Sequence, residues 1–298
     1  METRKIGSLD VTVVGLGCNN FGGRLDQEGT ARVLDAALDH GVTFWDTADL
    51  YGGTKSEAFM GNLIKDRRNR IVLATKFGHP SGPTPQGARP DELRKAVEAS
   101  LKRLQTDRID LYQLHSPSKE VPVAETLGAL DELVREGKVV EIGCSNFDVA
   151  GLDEAESAAL GARFASVQNE YSLLHRDDEA DVLPACERLG VAYIPYFPLA
   201  SGLLTGKYRK GQDYPSGTRI APEKVDGAKL EKVERLVAWA EARGKTVLDL
   251  AFAYLLGERA VASVIAGATK PEQVAANADA GGWSLSADER KAVAALLD

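Results

Sequence analysis

From residue 14 onward one pattern recurs along the chain: a short apolar, β-branched run, a loop, an amphipathic helix, then another run. Nothing else restricts the fold as strongly, because strands separated by helices are joined by crossover connections and pair in parallel. The runs that read as strands are Val14–Gly17, Thr43–Asp46, Ile71–Lys76, Ile109–His115, Val139–Ser145, Ser166–Asn169, Ala192–Tyr196 and Ser263–Gly267. The intervening segments place apolar residues three and four apart, as in Val33, Leu34, Ala37 and Leu38, or Leu127, Leu130, Leu133 and Val134. Gly41, Gly137 and Gly190 follow such segments where a left-handed cap is expected. Two further helices are predicted near 230–243 and 246–257, between the seventh and eighth strands.

Ahead of the repeat, Arg4–Ile6 and Val11–Val13 flank a Gly7-Ser8-Leu9-Asp10 turn and read as a β-hairpin. No low-complexity stretch or linker divides the 298 residues. The expectation is α/β: a single domain, 1–298, folded as a (β/α)8 TIM barrel with an N-terminal β-hairpin and two extra helices. A doubly wound open sheet is the alternative. It is disfavoured because no G-x-G-x-x-G follows a strand and opens a helix. The Gly- and Pro-rich loops Gly78–Pro90 and Gly206–Gly227 read as lids over a site.

The formal charge of −8 argues against a nucleic-acid partner, which would want clustered basic surface. Cys18, Cys144 and Cys186 are far apart, odd in number and without CxxC spacing, so neither a disulfide framework nor a metal site is expected. Residues 1–5 lead into no apolar signal segment, and no run is long enough for a membrane span. A cytoplasmic location and a small-molecule substrate are therefore expected.

In a barrel the active site lies at the C-terminal ends of the strands. The second, third and fourth strands end at Asp46, Lys76 and His115, and Tyr51 lies in the loop after the second. Each alone has a bland reading, as a cap, a surface charge, a core imidazole or packing. Together they form a chemically coherent set: Asp46 would hold Lys76, Lys76 would lower the pKa of Tyr51, and His115 would orient a substrate oxygen. None donates electrons, so a bound cofactor would carry any redox chemistry.

The later strand ends read as a seat for such a cofactor. Ser145, Asn146 and Gln168 cluster hydroxyl and amide groups suited to a carboxamide, and Tyr196 offers a flat face to a planar ring. Pro198, Leu199, Ser201, Gly202, Leu204 and Lys207 form a small-residue segment ending in a cation, suited to a pyrophosphate. After the eighth strand, Gly267, Thr269 and Lys270 precede a helix N-terminus that favours anions, with Gln273 and Asn277 four apart on one helix face. Phe21, with Tyr51 and His115, is expected to line the substrate pocket.

These residues resemble the aldo-keto reductase family over nearly the whole chain. The likeness is carried by Phe44-Trp45-Asp46-Thr47-Ala48 with Tyr51-Gly52, Ala74-Thr75-Lys76-Phe77-Gly78, Asp110-Leu111-Tyr112-Gln113-Leu114-His115 and Gly143-Cys144-Ser145-Asn146-Phe147. It continues through Gln168-Asn169-Glu170-Tyr171, Tyr196-Phe197-Pro198-Leu199 and Gly202-Leu203-Leu204-Thr205-Gly206-Lys207. The resemblance implies a catalytic tetrad of Asp46, Tyr51, Lys76 and His115 with Tyr51 as general acid. It also implies a nicotinamide held by Ser145, Asn146 and Gln168 and stacked on Tyr196, with NADP(H) as cofactor and Lys270 at its 2′-phosphate. The expected activity is NADPH-dependent reduction of an aldehyde or ketone. A nucleotide-bound regulatory subunit, like the channel-associated members of that family, and a Schiff-base enzyme using Lys76 are the rivals. Ser116-Pro117-Ser118 and Cys18-Asn19-Asn20-Phe21 depart from the family pattern on the substrate side and leave the substrate open.

Overall fold

A computed structural model describes residues 1–85, 87–213, 220 and 225–297. Part of each long loop, Gln86 in the first and residues 214–219 and 221–224 in the second, lies outside the described residues. Strands β1 (Thr3–Ile6) and β2 (Leu9–Thr12) pair antiparallel around a turn at Gly7 and Ser8. The remaining strands are β3 (Val14–Gly17), β4 (Phe44–Asp46), β5 (Val72–Phe77), β6 (Ile109–Leu114), β7 (Val139–Ser145), β8 (Phe164–Glu170), β9 (Ala192–Tyr196) and β10 (Val264–Gly267). They form one eight-stranded sheet in the order β10-β3-β4-β5-β6-β7-β8-β9, with every ladder parallel. A single bridge between Tyr193 and Val261 carries the sheet from β9 toward β10 and nearly closes the barrel.

Ten α-helices are present among the described residues. Helices α1 (Gln27–Asp39), α2 (Lys55–Ile64), α3 (Pro90–Leu104), α4 (Val123–Arg135), α5 (Val149–Ala158) and α6 (Val182–Leu189) connect consecutive strands from β3 to β9. Both α7 (Gly227–Glu241) and α8 (Val247–Leu256) lie between β9 and β10, as expected, so one of them is the ordinary crossover. The second extra helix is instead α10 (Ala287–Ala295), which follows α9 (Pro271–Ala280); its short apolar pattern was not read from the sequence. A Ser286–Glu289 capping box starts it.

The period of two along each strand sorts side chains between two cores. Val14, Leu16, Trp45, Leu73, Tyr112, Cys144, Val167 and Tyr193 face the helices. Phe44, Ala74, Leu111, Ile194 and Ile265 fill the barrel, and Ile6 and Val11 of the hairpin plug its lower end. Glu141 fixes that plug by accepting from the Ser8 N–H at 2.7 Å and the Ser8 hydroxyl at 2.6 Å. The register of β7 against β8 slips between Ile142 and Gly143, whose partners are Phe164 and Ser166. This bulge leaves Ala165 as the extra residue and keeps Gln168 pointing inward. Continuing the same alternation upward, Asp46, Lys76, Gln113, Ser145, Gln168 and Tyr196 make the topmost interior layer.

Candidate active site

That layer floors a cavity of about 1080 Å³ at the C-terminal mouth of the barrel. Lys76 is fully buried beneath it, with its ammonium bonded to Asp46 Oδ2 and to the Thr47 carbonyl at 2.9 Å. Tyr51 lies above, its hydroxyl 3.5 Å from Lys76 Nζ and its ring centroid 5.1 Å from the same atom. The loop bearing Tyr51 docks on β5 through Thr47 N–H to the Ala74 carbonyl and Asp49 N–H to the Lys76 carbonyl. Gly52 makes its turn possible. Its φ is +60°, and a Cβ there would lie 2.4 Å from the Phe21 carbonyl, so a side chain would push Tyr51 out of place.

Burial of Lys76 alone would favour the neutral amine; Asp46 and Tyr51 outweigh it and raise the pKa, keeping the group charged. The expected downward pull of Lys76 on Tyr51 is present but is not the larger effect. Burial of the phenol dominates, and its pKa is raised. The site therefore holds Tyr51 protonated, the state from which it can donate. His115 is neutral, with its pKa pushed down to about 2 by burial, then by Lys76 and by His79. Its Nδ1 is buried without a partner, and its ring meets Tyr51 edge-on at 6.1 Å and His79 at 4.9 Å.

Asp46 Oδ1 accepts from Gln113 Nε2 at 2.9 Å and from Gln168 Nε2 at 3.1 Å, and Gln168 Nε2 also reaches Gln113 Oε1 at 3.1 Å. A carboxylate only accepts, so the Gln168 amide must turn its nitrogen to Asp46, leaving Oε1 for the cavity that Gln168 lines. An acceptor there matches the N–H2 of a carboxamide. Asn146, at φ +62°, donates to the His115 carbonyl at 2.9 Å and accepts from the Tyr196 hydroxyl at 2.9 Å. Ser145 donates to the Gln168 carbonyl at 2.6 Å. The carboxamide-like donors and acceptors expected at these strand ends thus converge.

Beyond Tyr196 the chain runs through left-handed conformations at Phe197, Ala200, Ser201 and Gly202. This tight segment brings Pro198, Leu199, Ser201, Gly202 and Lys207 to the cavity wall. Gly267, Thr269, Lys270, Gln273 and Asn277 line the cavity as well. Gln273 Oε1 accepts from the Thr269 N–H at 2.7 Å and its hydroxyl at 3.2 Å, so that side chain closes its own helix start. A cavity of this size, lined by carboxamide partners and by two lysines, Lys207 and Lys270, fits a dinucleotide. Two expectations fail. Leu204 and Phe21 are fully buried in the core between barrel and helices and do not line the cavity. Phe21 lies in a loop and Leu204 in the short 3-10 turn Ala200–Thr205, and the burial of each depends on packing that spacing does not reveal.

Asn19, Asn20 and Ser116 line the cavity in the two segments expected on the substrate side, His79 in the first of the expected lid loops, and Thr205 and Glu272 within the segments expected to seat the cofactor; Arg24 has no counterpart in the sequence reading. His79 is oriented by the Ser81 N–H, which donates to its Nδ1 at 3.1 Å. Under the same loop lies Asp49, 1% exposed, accepting from the Thr84 hydroxyl at 3.2 Å while its Oδ1 has no partner. Burial, and then the neighbouring Glu57 carboxylate, raise the Asp49 pKa to about 7. Glu57 itself is held by the Thr75 hydroxyl and Arg103 Nε, both at 2.6 Å.

A parallel eight-stranded barrel whose mouth gathers this acid, amine, phenol and imidazole is the architecture of a nicotinamide-dependent oxidoreductase. The sequence profile of the Aldo/keto reductase family matches residues 13–298, and the chain belongs to that family. It is 36% identical over 284 residues to "Uncharacterized oxidoreductase YrpG" of Bacillus subtilis (strain 168), covering 89% of this chain and 86% of that protein. An aldo-keto reductase from Bacillus halodurans, solved in its holo form, superposes with a TM-score of 0.84 at 32% identity, covering 100% of this chain and 97% of that one. An aldo/keto reductase from Klebsiella pneumoniae, solved in complex with NADP and acetate, gives 0.80 at 32% identity, covering 97% and 92%. The chain is accordingly an NAD(P)H-dependent oxidoreductase, and none of its described helices is long and apolar enough to cross a membrane.

Proposed function

We propose that the chain, acting as one catalytic unit, reduces an aldehyde or ketone to the alcohol with NADPH, and that Tyr51 delivers the proton. The observation that carries this reading is the stack of Asp46, Lys76 and Tyr51: a fixed, charged ammonium 3.5 Å from a protonated phenol at the cavity floor. NADPH, when bound, supplies the hydride. Ser145, Asn146 and Gln168 would hold its carboxamide, Tyr196 its ring, Ser201 and Lys207 its pyrophosphate, and Lys270 its 2′-phosphate.

The residues of the chain then divide the proton chemistry. Neutral His115 orients the carbonyl oxygen toward Tyr51, and the Tyr51 hydroxyl gives that oxygen its proton. Lys76 stabilises the phenolate left behind, and Asp46 keeps the ammonium in place. The substrate side of the mouth carries Asn19, Arg24, His79 and Ser116. That polar lining favours small carbonyls bearing hydroxyl or carboxylate groups over aryl ones.

Tyr51→Phe tests the assignment. Loss of NADPH oxidation followed with a panel of aldehydes, ketones and sugars should be about 10²–10⁴-fold, with NADPH binding retained. Full activity in the variant would refute the role of Tyr51. A parent protein that binds NADPH but reduces nothing in the panel would instead favour the nucleotide-bound regulatory reading.

A further inference from the structure

Gln113 stands two residues before His115 on β6, its side chain turned into the barrel and fully buried. It does not line the cavity, so it reaches neither substrate nor cofactor. Space for it is left by β7, where a Cβ at Gly143 would lie 3.2 Å from Gln113 Cγ. Its amide is nevertheless used at both ends: Nε2 donates to Asp46 Oδ1 at 2.9 Å, and Oε1 accepts from Gln168 Nε2 at 3.1 Å. Because Asp46 Oδ2 is committed to Lys76, the carboxylate is held on one side by the ammonium and on the other by two amides.

We propose that Gln113 is a positioning residue that sets two groups at once, the Asp46 carboxylate against Lys76 and the Gln168 amide with its oxygen toward the carboxamide seat. The first action governs how firmly Lys76 is held beneath Tyr51. The second pre-orients Gln168 for the cofactor. The acid and the cofactor seat are therefore coupled through one buried amide, and a change at position 113 reaches both without touching either ligand. The inference rests on the reading of Tyr51 as the acid and NADPH as the cofactor.

Two substitutions separate this role from simple packing. Gln113→Leu keeps the approximate volume and removes both hydrogen bonds. Gln113→Glu keeps the shape and makes the pattern depend on pH. A protonated Glu at 113 donates to Asp46 and accepts from Gln168, as the glutamine does; an ionised one cannot donate and sets a second carboxylate against Asp46. The titratable groups facing position 113 are Asp46 on β4, Lys76 on β5 with Tyr51 beyond it, and His115 just after β6. The inward residues of β7 and β8 at this level, Gly143, Ser145 and Gln168, do not titrate.

The experiment uses the full chain, with NADPH dissociation constants from fluorescence titration and kcat and KM for a carbonyl substrate between pH 5.5 and 9. Gln113→Leu should weaken NADPH by about three- to tenfold, the worth of one neutral hydrogen bond. It should lower kcat by about tenfold or more and leave the carbonyl KM unchanged. Gln113→Glu should behave like the parent near pH 5.5 and lose both NADPH affinity and kcat as the pH rises, a limb absent from the parent. If Gln113→Leu fails to fold, by circular dichroism, the Gln113→Glu series decides alone. A Gln113→Glu protein with parental NADPH affinity at every pH, or with the same loss at every pH, overturns the proposal. A parent that fails to bind NADPH, or a Tyr51→Phe protein with full activity, removes the reading beneath it instead.

Discussion

Asp46→Asn isolates the energetic core of the site. The substitution keeps shape and keeps the oxygen that Gln113 and Gln168 address, but it leaves the fully buried Lys76 without its counter-ion. Burial is the largest influence on Lys76 and disfavours its charge; Asp46 is the leading influence opposing it. With Asp46 gone, the lysine can hold its charge at the cost of an uncompensated buried cation, about 3–5 kcal/mol. It can also release its proton in the folded state. From an ordinary value near 10.4, release at pH 7 costs about 3.4 pH units, or about 4.6 kcal/mol, which bounds the loss. At pH 9 the same route costs only about 1.9 kcal/mol.

The sign follows directly. In the variant the folded lysine binds fewer protons than the unfolded one, so the deficit relative to the parent is greatest near neutrality and shrinks as the pH rises toward 10. Urea unfolding of parent and variant at pH 7 and pH 9 measures the deficit, which should be about 3 to 4.6 kcal/mol at pH 7 and about 2 kcal/mol or less at pH 9. Asp46→Asn/Lys76→Met, which removes both charges, should recover most of it. A deficit below about 1 kcal/mol, as for an exposed ion pair, would refute the reasoning. So would one that does not change between the two pH values.

Two further outcomes are expected. Lys270 is exposed at the start of α9 and lines the cavity; if it meets the 2′-phosphate, Lys270→Ala should weaken NADPH by about tenfold and leave NADH unchanged, as read by parallel fluorescence titrations. Asp49, with its pKa raised from 3.8 to about 7, keeps a proton in the folded state that the unfolded state has released, so its contribution to stability falls as the pH rises from about 4 to about 7. Asp49→Asn should therefore match the parent in urea unfolding near pH 4 and exceed it by up to about 4 kcal/mol at pH 8; an equal gap at both pH values would count against the carboxyl as its source.

The barrel and the site were legible to different depths for physical reasons. The strands were readable because a parallel sheet covered on both faces needs uninterrupted apolar runs, and their ends fell within a residue or two of the observed ones. Asp46, Lys76 and His115 were readable because a barrel converts the end of a strand into a position at one mouth. The bulge at Ala165, which keeps Gln168 inward, was not, since an extra residue in one strand shows only against its partner. Nor was Asp49, whose environment depends on a loop arriving from residues 79–84. Gln113 left a signal that was available in principle. In the run Leu111-Tyr112-Gln113-Leu114 it is a polar side chain inside a strand with no solvent-facing side, and such a group requires partners.

The topmost interior layer also explains why its residues come as a set. A single buried ammonium is unstable there, so Lys76 requires Asp46. The carboxylate then has one oxygen left over, and being buried it requires donors, which Gln113 and Gln168 supply. Orienting those amides leaves Gln113 Oε1 to accept from Gln168 and leaves Gln168 Oε1 addressed to the cavity that Gln168 lines. Each residue is thus fixed by the unmet hydrogen-bonding capacity of the one before it, from the charge beneath Tyr51 outward to the edge of the dinucleotide seat. Polarity inside the barrel mouth propagates from the lysine beneath the phenol, and the position at which it stops is the position at which a ligand can take over.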